Sequence, residues 1–110
     1  MLEVTFYRDS RDRLSRIFAT GHAGWADAGE DVVCAGASAV LQTAWLGLAE
    51  HARVAVTAER DAGRLDLRWP EADRERVDVC AIVEVARLAL EALAQQFPAN
   101  VRVHSERVER

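Results

Sequence analysis

The sequence predicts an α+β fold, a two-layer sandwich in which a mostly antiparallel sheet carries two helices on one face, in the order ββαββαβ. Three observations predict it. Apolar and polar residues alternate in five short segments, four of which form pairs separated by polar turns. Two longer segments, one after each pair, space their apolar residues as helices do. Every alternating segment keeps one polar side, as in a sheet covered on one face only, so helices with apolar stripes supply the second layer.

Leu2, Val4 and Phe6 alternate with Glu3, Thr5 and Tyr7 and form the first strand. Asp9-Ser10-Arg11-Asp12 is a polar turn, and residues 14–22 return as the second strand. A loop of small residues, with Gly24 and Gly29, leads to a helix over residues 31–51. Val54, Val56 and Ala58 then alternate with Arg53, Ala55 and Thr57, and Asp61-Ala62-Gly63 turns the chain. Leu65, Leu67 and Trp69 come back as the other half of a second hairpin.

Pro70-Glu71-Ala72-Asp73 has the proline and acids of a first helical turn, so the second helix is expected to run from there to about residue 96. Val79, Ile82, Val83, Ala86, Leu90, Leu93 and Phe97 form its apolar stripe, opposite Asp78, Arg87, Glu91 and Gln95. Pro98 stops it. Val101, Val103 and Ser105 alternate with Arg102, His104 and Glu106 in a last strand.

The 110 residues read as one domain, 1–110, large enough to bury a core without metal or disulfide staples. A net charge of −4 argues against a nucleic-acid binder held by a basic surface and favours a neutral or basic partner. The N-terminal residues lack the basic-then-apolar order of a signal peptide. The two cysteines, Cys34 and Cys80, fit a reduced cytoplasmic setting better than a secreted disulfide framework. Residues 32–49 carry no charge and reach the length of a membrane span. They are rich in Ala, Gly, Ser and Thr and bounded by Glu30-Asp31 and Glu50-His51, so a buried helix is expected and no membrane contact.

The chemistry concentrates around Gly21-His22-Ala23 and Cys34. With Asp31 as N-cap, Cys34 falls at the third position of the first helix, where the helix dipole favours a thiolate. The thiolate is the nucleophilic form of cysteine. The amides of Cys34 and Ala35 are candidate donors to an oxyanion. His22 ends the preceding strand, within reach of the helix start, and suits a general base that later protonates a leaving amine. The plainer alternative is a strand-end histidine and a small cysteine that packs a helix.

Gly21-His22-Ala23, then Gly29-x-Asp31-x-Val33-Cys34-Ala35 and Ser38, resemble the signature of the ribosomal-processing cysteine protease (Prp, YsxB-like) family. The resemblance extends to chain length and element order. It implies a homodimeric cysteine endopeptidase that removes a short N-terminal extension from a large-subunit ribosomal protein. His22 is then the base, Cys34 the nucleophile, and an apolar groove lies beside Cys34. The basic substrate agrees with the acidic balance of the chain.

Other signature positions stay open between two roles. Asp31 either orients His22 or only caps the helix. Ser38, one turn after Cys34, either bonds to the active-site loop or allows close packing. Gly21, Gly24 and Gly29 either let the loop move as a lid or serve as ordinary turns. Trp25 either meets an aromatic substrate side chain or tucks into the core. Cys80 reads as a core residue of the second helix, His104 as a polar-face residue and His51 as a helix C-terminal cation. No CxxC or HxxxH spacing supports a metal site, so neither a metal nor a cofactor is expected. The rivals to the peptidase are a non-catalytic ribosome-associated or assembly factor with the same fold and, more remotely, a thiol redox or acyl-transfer protein.

Overall fold

Alternation of side chains builds the sheet. In a computed structural model that describes residues 1–24 and 31–108, β1 (Leu2–Arg8) and β2 (Leu14–Gly21) form the first hairpin. Helix α1 (Val32–Leu46) follows, then β3 (Thr57–Asp61) and β4 (Arg64–Arg68) as the second hairpin. Helix α2 (Val77–Gln96) and β5 (Val101–Arg107) complete the chain. The strand order is β3-β4-β2-β1-β5. Three neighbouring pairs are antiparallel, and β5 lies parallel to β1.

Register puts one set of apolar side chains on one face. Val4 faces Ala19 across β1 and β2, Phe6 faces Ile17, and Ile17 faces Leu67 of β4. Leu2 and Val4 pair with Val101 and Val103 on the other side. These side chains meet Val33, Ala37, Leu41 and Ala44 of α1 and Val79, Val83, Ala86 and Leu90 of α2 in a single core. The two-layer α+β fold is thus as the sequence predicts. Burial at about 25 cal/mol per Å² of apolar surface drives this arrangement. Residues 32–51 are long and apolar enough to cross a membrane by length and composition, but one side of this run is spent on the core.

Three boundaries differ from the sequence reading. The first helix does not run evenly to residue 51. From Gly47 to His51 it widens into a π-helical turn, closed by the Ala52 amide on the Gly47 carbonyl at 2.9 Å. Arg53 then takes a left-handed φ of 57°, and buried Val54 returns its amide to Leu48, so β3 begins only at Thr57. Pro70 does not open α2 either. It precedes a short 3₁₀ turn, Glu71–Asp73, and α2 starts at Val77. The Arg74 guanidinium holds the Trp69 carbonyl and the buried Asp9 carboxylate, which fixes this extra turn against the first hairpin.

The open face of the sheet is not an even polar surface. Arg16 makes a two-pronged ion pair with Asp66 at 2.8 Å and stacks on the rings of Tyr7 and Phe18 at 4.8 and 5.1 Å. Arg68 also reaches Asp66, at 3.1 Å, and the carboxylate is buried beneath these cations.

Candidate active site

Helix α1 begins where the sequence places it. Asp31 has an extended backbone, and its carboxylate accepts the Cys34 amide at 2.9 Å. This is an N-cap, and Cys34 stands third in the helix. The Ala35 amide is taken by the Asp31 carbonyl at 3.0 Å. Both amides offered to an oxyanion by the sequence reading are therefore engaged by the cap. The two first-turn N–H groups outside this cap belong to Val32 and Val33.

His22 follows the last residue of β2, and its backbone is anchored on both sides. Gly21 pairs with Leu2 and donates its amide to the Gly63 carbonyl at 2.8 Å. Ala23 is buried, and its carbonyl accepts from the Asn100 side chain at 2.9 Å. The imidazole itself is exposed. Gly21 has a φ of 95°, and a Cβ there would fall on the Met1 carbonyl oxygen. This position requires glycine because of the sheet, whatever the loop beyond it does. Gly24 lies past the strand with a φ of 68°, and among the described residues nothing lies near where a Cβ would be. Trp25 and Gly29, the other loop positions singled out from the sequence, lie outside the described residues.

His22 and Cys34 line one cavity of about 290 Å³. Its floor is a face of α1 at helical spacing: Cys34, Ser38, Leu41 and Trp45. Its far wall is the β3–β4 turn. Ser38 is exposed and accepts a bond from the Gln42 side chain at 2.9 Å, one turn further along. Leu41, Trp45 and the turn were missed from the sequence, although the first two continue the i, i+4, i+7 series that starts at Cys34. The turn carries no comparable signal.

The remaining candidates lie elsewhere. Cys80 is not a core residue: it is exposed, and its thiol donates to the Arg74 carbonyl at 3.3 Å. His104 lies on the open sheet face, 3.1 Å from Glu3. His51 is exposed and borders a separate apolar groove between the two helices.

A half-buried thiol at a capped helix start, with an anchored histidine on the rim of the same cleft, is the equipment of a cysteine hydrolase. A family model described as "Cysteine protease Prp" matches residues 1–102, and the chain belongs to this family of cysteine proteases. The ribosomal processing cysteine protease Prp of Staphylococcus aureus is 24% identical over 107 residues, covering 94% of this chain and 98% of the relative. A crystal structure of the S. aureus protein with a covalently linked product peptide superimposes with a TM-score of 0.79 at 22% identity, over 96% of this chain and 99% of that one. A Streptococcus mutans protein gives a TM-score of 0.84 at 25% identity, over 98% and 96% of the two chains.

Proposed function

We propose that this cysteine protease removes the N-terminal extension of a large-subunit ribosomal protein in the cytoplasm, with Cys34 as nucleophile and His22 as general base. Residues 1–110 act as one catalytic unit, and two copies associate. The observation that carries the reading is the shared cleft of His22 and Cys34 at the capped start of α1. The nature of the relatives supports it. The S. aureus relative is a ribosomal processing protease, and its structures hold a substrate peptide or a covalently linked product peptide.

The chemistry follows from the two side chains. His22 takes the thiol proton, and the Cys34 sulfur attacks the scissile carbonyl carbon. The tetrahedral intermediate collapses with loss of the C–N bond, and His22 passes its proton to the departing amine. Water then loses a proton to His22 and attacks the thioester. The C–S bond breaks, the carboxylate product leaves, and the proton returns to the thiol. Ser38, Leu41 and Trp45 give the peptide a mixed polar and apolar floor.

Co-expression with the organism's own ribosomal protein tests the substrate. The expected result is a mass loss equal to the extension with the wild-type chain and none with Cys34→Ser or His22→Ala. Full-length ribosomal protein beside the wild-type enzyme would remove the substrate assignment. Sedimentation of the purified enzyme at twice the chain mass is expected, and a single-chain mass would contradict the pairing.

A further inference from the structure

The turn between β3 and β4 borders the cleft beside the proposed base, and nothing in the reaction outlined above uses it. Gly63 has a φ of 72°, and a Cβ built on it would lie 3.1 Å from His22 Nε2 and 3.5 Å from Cε1. The turn therefore presents bare backbone to the edge of the imidazole. The same glycine accepts the Gly21 amide through its carbonyl at 2.8 Å, which fixes the chain just before His22. One residue thus holds the backbone that carries His22 and backs the ring itself. The neighbouring Asp61 and Ala62 line the cleft beside it.

We infer that the β3–β4 turn is the positioning element of the catalytic base, and that Gly63 is a positioning residue whose lack of a side chain sets where the His22 ring stands. The inference rests on the assignment of His22 as base. Because the imidazole is exposed, it is free to yield when a side chain is added at position 63. The added carbon then displaces the ring by a few tenths of an ångström or more instead of breaking the fold. Acid–base and nucleophilic steps depend steeply on such displacements, up to about a hundredfold in rate for about 1 Å. Bulk at Gly63 therefore weakens turnover and leaves peptide binding, which uses the α1 floor, largely alone.

Gly63→Ala and Gly63→Asn test this together, since asparagine accepts the left-handed backbone that strains alanine. The readouts are kcat and KM on a peptide spanning the extension, and the pH profile of Cys34 alkylation by iodoacetamide. Circular dichroism confirms folding. Expected is a fall of about tenfold in kcat with KM held within about twofold, and a shifted alkylation profile. In a His22→Ala background, adding Gly63→Asn should leave the alkylation profile unchanged, because the ring it would displace is gone. Unchanged kcat and profile in folded Gly63→Asn would overturn the inference while leaving the base assignment standing. An equal shift in the His22→Ala background would overturn it too, as the effect would not pass through the ring. Wild-type turnover in His22→Ala alone would overturn the base assignment, and this inference with it.

Discussion

Cys34 and Cys80 present the two thiols of the protein in opposite settings. Cys80 is exposed, and Cys34 is half-buried in the cleft. Access alone would make Cys80 the faster to alkylate. Activation at the capped helix start predicts the reverse: near neutral pH, iodoacetamide modifies Cys34 at least about tenfold faster, as peptide mapping reports. Faster loss of Cys80 would argue against an activated Cys34. The contrast also shows what the sequence conveys about single residues. The place of Cys34 is legible because an Asp at the head of a helical run, three residues before the cysteine, signals its start. Cys80 is misread because its apolar character outweighs its phase: it sits beside Val79 but about 100° around the helix from it, off the stripe of Val83, Ala86 and Leu90.

Helix α1 carries Cys34 near its start, which makes that start the place to perturb. Replacing Asp31 by Ala removes the bond to the Cys34 amide and is expected to lower stability by about 1 kcal/mol in urea denaturation. Asp31→Asn keeps a capping oxygen and should stay within a few tenths of a kcal/mol of the native chain, about where the cap preferences of Asp and Asn leave it. If Asn destabilises as much as Ala, the carboxylate charge matters more than the cap. Starts of elements are legible when a side chain marks them, as Asp31 does. Their ends and joints are less so. The π-turn after Leu46 and the late start of β3 depend on Val54 turning back to Leu48, a contact that local alternation does not encode. Pro70 looks like a helix opener, but tertiary bonds from Arg74 to Trp69 and Asp9 insert an extra turn before α2.

At the scale of the whole molecule, two buried carboxylates tie the layers and hairpins together. Burial pushes the Asp66 carboxyl up, but the Arg16 and Arg68 guanidinium groups outweigh it and hold the acid below its ordinary value of 3.8. Asp9 behaves alike: burial raises it, and bonds from Arg13, Arg74 and the turn amides bring it well below the carboxylate range. Below that ordinary value the unfolded chain takes up protons that the folded chain still refuses. Both acids therefore stabilise the fold above it, and the gain is lost as pH falls towards their folded values. The melting temperature is expected to be flat from neutrality to about pH 5 and to drop steeply below about pH 4. Arg16→Ala leaves Asp66 buried with weaker partners and should cost about 3 kcal/mol in urea. A loss under about 0.5 kcal/mol would mean that the pair is a surface ornament of the kind that exposed ion pairs are. The hairpins and the sidedness of the sheet were readable from alternation, whereas the strand order was not. The parallel pairing of β1 with β5 joins the first strand to the last, and the β2–β4 register that makes Arg16 and Asp66 diagonal neighbours joins residues fifty apart.

In the proposed reaction, peptide hydrolysis passes through a thioester on Cys34. This step is tested most directly by acid-quenching the enzyme during turnover of the extension peptide and locating the acyl group by mass spectrometry. Expected is an adduct with the mass of the N-terminal product, less water, on the proteolytic fragment that contains Cys34, and neither adduct nor cleavage in Cys34→Ala. An adduct on Cys80, or cleavage that persists in Cys34→Ala, would contradict it.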